Sequence, residues 1–205
     1  MNDPQITTVA IEKQNKAYAF LLFLISPLLV VILAAKDFRK SWAKNIIWLF
    51  VIFYGATFVI SNDKIDANRY RDQLYEFSIQ ELTPVNIFSM VYGPESQVLD
   101  ILQPLLTLTV SLFTTNFHVL FAVFGLVFGY FYSRNIWYLL DRTEGKLEWS
   151  AVILMMTFAF VVGFWEINGF RFWTAAHIFF YGVFPYVADR NRKKLWFAVL
   201  AIFVH

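Results

Sequence analysis

Long apolar runs, most of them near the length of a bilayer's hydrocarbon core and separated by short basic clusters, most strongly limit how this chain can fold. The runs Ala17–Ala35, Ile46–Ile60, Asn116–Tyr132, Trp149–Trp165 and Phe170–Ala188 predict membrane-crossing helices. A further run, Leu195–His205, is too short to cross. A helix ending there would leave carbonyls and a carboxylate in hydrocarbon. Residues 1–205 are therefore expected to be a single transmembrane domain, the N-terminal part of a longer membrane protein. With 59% hydrophobic and 20% aromatic residues, the expected class is an all-α, multi-pass transmembrane helical bundle. A net charge of +2 argues for no nucleic-acid partner, and the absence of cysteine excludes disulfides and thiolate metal ligation.

The basic clusters predict orientation. Pro27 should kink the first span, and Lys36, Arg39, Lys40 and Lys44 follow it, which places that loop in the cytoplasm and the N-terminus outside. After the second span comes Ser61–Asp72, the most charged stretch. Ser61, Asn62 and Asp63 are N-cap types, and a helix from near Lys64 would gather Asp66, Arg69, Tyr70 and Phe77 on one side as an amphipathic helix on the membrane surface. Thr83-Pro84 and Tyr92-Gly93-Pro94 should break the chain after it. The run Ile101–Phe113 reaches only about 20 Å as a helix, so it is expected to be re-entrant or interfacial. That choice keeps Arg134, Arg142 and Lys146 in one cytoplasmic loop and Arg190, Arg192, Lys193 and Lys194 in another. Gly125 and Gly129 are spaced to admit a neighbouring helix.

Between the last two full runs lies a polar knot, Glu166-Ile167-Asn168-Gly169-Phe170-Arg171, expected as a tight extramembrane turn. Beyond it, helical spacing lines up Thr174, His177, Ile178 and Tyr181. Ionisable groups so placed usually face protein or a watery cavity. The plain alternatives are an Arg171 that snorkels or pairs with Glu166, and a buried structural histidine at 177, about 9 Å along the helix from Arg171. His118 has no evident partner in sequence.

Three places resemble the EpsG-like family of bacterial exopolysaccharide polymerases, relatives of Wzy-type polymerases. They are Asp66-Ala67-Asn68-Arg69-Tyr70, Ile167-Asn168-Gly169-Phe170-Arg171 with Thr174-Ala175-Ala176, and Phe203-Val204-His205. The resemblance implies a glycosyltransferase that moves a sugar chain from a polyprenyl-diphosphate carrier to another lipid-linked unit, at the outer face of the bacterial inner membrane. Such chemistry needs a base for the acceptor hydroxyl and cations for the diphosphate. Arginine suits the second task because its fork binds phosphate oxygens bidentately. The candidate catalytic residues are Glu166, Arg171, Asp66 and, by resemblance only, His205. The candidate substrate-binding residues are Arg69, Tyr70, Arg71, Asn168, Thr174 and His177. For the charged residues of 66–72 a solvated helix face with local ion pairs explains the pattern equally well. With no H-x-x-x-H, carboxylate cluster or glycine-rich phosphate loop, neither metal nor cofactor is expected. Expected partners are polyprenyl-diphosphate-linked oligosaccharide, the lipid bilayer and other polysaccharide-assembly membrane proteins. Two other classes stay open: a transporter or flippase for a lipid-linked or anionic molecule, and a noncatalytic membrane subunit.

Overall fold

The computed structural model describes residues 17–37, 40, 42–61, 65–81, 83, 86, 100–142, 148–161 and 163–205. The polar start over 1–16, the Arg39 position, the cap residues Asn62 and Asp63, the breaks at Pro84 and Tyr92-Gly93-Pro94, and Lys146 lie outside them. The described residues are mostly helical, with no strand among them.

The first apolar run is two helices, α1 (17–25) and α2 (Pro27–Lys36), divided at Ser26, whose φ and ψ of −146° and 84° leave the helical region. Pro27 opens α2, where its missing N–H costs nothing. α3 (Ala43–Ala56) ends four residues before the sequence expectation, because the chain turns at Thr57 and leaves helical geometry over 58–60. α4 (Ile65–Ile79) and α5 (Leu102–Ser111) follow, and then the long α6 (Phe117–Leu140), which runs two turns past its expected end at Tyr132. Asn116 starts α6 by accepting the His118 backbone N–H at 2.9 Å. α7 (Trp149–Val161) leads through a 3-10 turn, Phe164–Gly169, into α8 (Phe170–Asp189). A second 3-10 turn, Arg192–Lys194, leads into α9 (Leu195–Leu200), which ends in a third, Ala201–Phe203. Among the described residues α6 alone is long and apolar enough to cross a membrane unaided; α7 and the 164–189 segment reach that criterion only as a bent pair.

Glycine sets the central helix pair. A Cβ on Gly55 would lie 2.1 Å from the Phe121 carbonyl oxygen, and one on Gly125 would lie 2.6 Å from that of Val51. With only hydrogen at those positions α3 and α6 touch backbone to backbone. Trp48 Nε1 donates to the Leu126 carbonyl at 2.8 Å in the same seam. α3 runs antiparallel to α6, with Phe58 stacked on Phe121 (4.8 Å) at one end and Asn45 bonded to Arg134 (2.7 Å) at the other. α8 runs parallel to α6, from Phe170 stacked on Phe124 (4.0 Å) to Asp189 bonded to Tyr138 (2.8 Å). α7 folds back along α8, placing Phe158 against Phe180 (5.2 Å) and Phe184 (5.6 Å). Lys44, Arg134, Arg142 and the 190–194 turn therefore collect at one end, and α4 with the 164–169 turn caps the other.

The outer surface is strongly apolar. Leu24 and Ile25 are 81% and 82% exposed, and Leu154, Phe160, Trp196 and Ile202 also face outward. No residue of α7 is buried, although α7 carries Trp149, Ile153, Leu154, Met155, Met156, Phe158 and Phe160.

α8 closes on Arg190, which takes the left-handed conformation (φ 56°) so that its N–H reaches Tyr186 O (2.9 Å) and the next N–H reaches Pro185 O (3.1 Å). That conformation costs a side-chain-bearing residue roughly 1 kcal/mol that glycine avoids. Arg190→Gly should therefore raise the denaturant midpoint of purified protein. A lowered midpoint would contradict this cap.

Candidate functional site

Polar groups from four segments meet at the end opposite the basic cluster. Ile167, fully buried, anchors the 164–169 turn, and Phe170, equally buried, lies flat on Phe124. Packing these two residues inward leaves Arg171, the next residue, directed at Asp100, with its Nη1 3.2 Å from Asp100 Oδ2. Tyr70, on the inward face of α4, stands edge-on to Phe124 at 5.5 Å and brings its ring beside Arg171. A single ring, Phe124, thus seats both the arginine-bearing turn and the tyrosine-bearing helix.

Three sets of contacts fix the frame. Asn168 Oδ1 accepts the Ala67 backbone N–H at 3.1 Å and so satisfies a donor in the first turn of α4. Gln103 Nε2 donates to Gln73 Oε1 and to Thr107 Oγ1, both at 2.8 Å, tying α5 to α4. The Ile101 N–H donates to Phe203 O at 3.0 Å, which draws the 201–205 segment alongside Asp100. His205 stands edge-on to Phe172 at 5.6 Å, close enough to act electrostatically on Asp100.

Asp100 is 5% exposed. Burial pushes its carboxyl above the usual carboxylate range, and neighbouring Arg171 only partly opposes that rise. Burial likewise raises the Tyr70 phenol, again against the pull of Arg171. Three buried oxygens here, Asp100 Oδ1, Tyr70 Oη and Thr174 Oγ1, have no hydrogen-bond partner within bonding geometry among the described residues. The Tyr70 hydroxyl lies close enough to Arg171 for the guanidinium charge to act on it. Thr174 is nearly one turn along α8 from Arg171, on the buried face.

The other expected residues are placed differently. Arg171 takes Asp100, not Glu166, as its ionic partner; Glu166 is half-buried, near enough to act on Tyr54 across the turn. Tyr70 and Phe77 face inward with Ala67 and Leu74, but Asp66 and Arg69 do not share that side. They form an exposed pair at 3.5 Å along α4. Arg71 is exposed, pairs with Asp72 (2.9 Å) and borders a separate recess with Tyr75 and Phe117. The helical step of 100° explains this arrangement, since neighbours of a buried position cannot also face inward.

His177 lies deep in the bundle. Its ring meets Phe128, Tyr132 and Phe158 edge-on at 5.2–5.6 Å, and Asn135 Nδ2 lies 3.1 Å from His177 Nδ1 and 2.8 Å from its carbonyl. His177 is fully buried and bonded to Asn135, well inside the bundle from the Arg171 and Asp100 pair. His118 stacks on Phe117 at 4.1 Å.

Asp100 is the residue that sequence reasoning missed. A single carboxylate at the edge of the apolar Ile101–Phe113 run, beside Val98 and Leu99, was the available signal. The chain matches no family model, no curated protein and no solved structure.

Proposed function

We propose that this chain is a multi-pass membrane protein of the polysaccharide-polymerase type, which holds the diphosphate of a polyprenyl-linked sugar at Arg171 on the outer face of a bacterial inner membrane. The observation that carries the reading is convergence. The three stretches that resemble the EpsG-like family contribute Tyr70, Arg171 and His205 to one neighbourhood around Asp100. The apolar exterior supports a lipid environment, since soluble proteins rarely expose such continuous apolar surface. Collection of basic residues at the opposite end agrees with the charge asymmetry of membrane topology.

In this reading Arg171, 22% exposed at its side chain, grips the diphosphate, and the unpartnered Tyr70 hydroxyl donates to one of its oxygens. Asp100 Oδ1, also unpartnered, accepts the proton of the acceptor hydroxyl. The acceptor oxygen forms a bond to the anomeric carbon. The bond from that carbon to the diphosphate breaks, and its electron pair passes to the phosphate oxygen held by Arg171. Asn168 acts through α4, keeping Tyr70 in place.

In the producing strain, Arg171→Ala should abolish polymer while the lipid-linked repeat unit accumulates. Tyr70→Phe separates function from folding: it deletes a buried, unsatisfied hydroxyl, so stability should hold or rise, while polymer yield should fall roughly tenfold. Normal chain lengths in both variants would refute the assignment. Reconstituted protein given lipid-linked oligosaccharide distinguishes the transporter alternative, because translocation without lengthening is that protein's signature.

A further inference from the structure

A second polar site lies at the other end of the bundle. It is a cavity of about 370 Å³, within the range of small-molecule sites. Lys44 from α3, Arg134 from α6 and Lys194 from the 192–194 turn line it, against one lining carboxylate, Asp141. Asp189, nearby, is already engaged by Arg142 and Tyr138. Among the described residues no carboxylate pairs with Lys44, Arg134 or Lys194.

The cations are held in place. Arg134 lies 4.8 Å from the Trp48 ring and 4.4 Å from the Tyr130 ring. It donates one bond from Nη1 to Ser133 Oγ (2.8 Å) and one from Nη2 to Asn45 Oδ1 (2.7 Å), and its fork of five N–H groups exceeds these two bonds and the Tyr130 hydroxyl beside it. Lys194 Nζ sits 4.4 Å from the Tyr181 ring. Its position follows from Gly182, where a Cβ would lie 2.9 Å from the Lys194 carbonyl oxygen, so the turn rests on the α8 backbone. A half-buried guanidinium between two rings, with ammonium groups beside it and one carboxylate against three positive charges, is built for an oxyanion with several acceptor oxygens.

We propose that this cavity binds a phosphate group, carried either by an anionic lipid headgroup or by a water-soluble diphosphate. The inference does not rest on the polymerase reading, because none of its residues belongs to the Arg171 site.

Purified full chain in detergent is titrated with inorganic pyrophosphate and, separately, with micelles doped with dioleoyl phosphatidylglycerol or dioleoyl phosphatidylcholine. Trp48 and Trp137 fluorescence reports occupancy, since one touches Arg134 and the other lines the cavity. Saturable binding of pyrophosphate identifies a soluble ligand, and saturation by phosphatidylglycerol alone identifies a headgroup. In either case Arg134→Gln should weaken binding roughly tenfold or more. Lys194→Gln, on a largely exposed turn, should weaken it several-fold. Absence of saturation by both phosphate probes, equal binding of phosphatidylcholine, or affinities unaltered in the Arg134 and Lys194 variants would each overturn the proposal.

Discussion

Gly55→Val is expected to cost on the order of 3 kcal/mol and to remove most monodisperse protein from a detergent extract. Its added Cβ would meet the Phe121 carbonyl oxygen at 2.1 Å, and backbone cannot step aside without parting α3 from α6 along the whole seam. Separation would also break the Trp48 to Leu126 hydrogen bond and unstack Phe58 from Phe121. The three glycines should rank by what stands opposite them. Gly125 faces the Val51 backbone at 2.6 Å and is nearly as intolerant, whereas Gly129 meets side-chain atoms first, Val51 Cβ and Cγ1 at 2.8 and 2.9 Å, a smaller overlap. Gly129→Ala should therefore be the mildest. Thermal unfolding in one detergent gives the order, and a Gly55→Val melting within 2 °C of the parent, on the order of a few tenths of a kcal/mol, would disprove this apposition.

Arg171→Met should destabilise by about 3 kcal/mol above neutral pH and by much less near pH 4. Removing the cation leaves Asp100 buried without its ion-pair partner, and among titratable side chains only His205 remains to act on its charge. Even with Arg171 present, burial holds that carboxyl above its ordinary value, so the folded state binds its proton more tightly than the unfolded state does. A group of that kind contributes stability fully below its unfolded pKa, about 3.9, and loses it as pH rises through the folded value. Without Arg171 the folded value climbs further, so the penalty must grow with pH. Asp100→Asn combined with Arg171→Met should recover most of the loss and flatten the profile. Chemical denaturation at pH 4, 6 and 8 tests this, and a penalty independent of pH would show that Arg171 supports the fold by packing alone.

Helical class and most helix positions were legible from periodicity and run length. Pro27 marked the break between α1 and α2, and the Gly125 and Gly129 spacing marked the face that receives α3. Helix ends were less legible. α3 stops at Ala56 because the chain must turn into α4, a demand written in tertiary packing, not in the apolar Thr57–Ile60 stretch itself. α6 continues past Tyr132 because Arg134 finds Asn45, Trp48 and Tyr130, so a charge that looks like a loop signal is accommodated within a helix. At the candidate site, sequence singled out Arg171, Tyr70 and Asn168, whose types and spacing stand out against an apolar background. It could not find Asp100, seventy-one positions from its partner, because nothing local records a pairing made only by folding. For Asp66, Arg69 and Arg71 charge was a poor guide, since on a half-buried helix charge marks the side turned outward.

Phe124 gives the two arms of the site a common datum. Since Tyr70 and Phe170 both register on that one ring, the surface helix cannot slide or roll without disturbing the turn that bears Arg171. The two arms must move together or lose their alignment together, so a tug applied far out on α4 would be felt at the guanidinium.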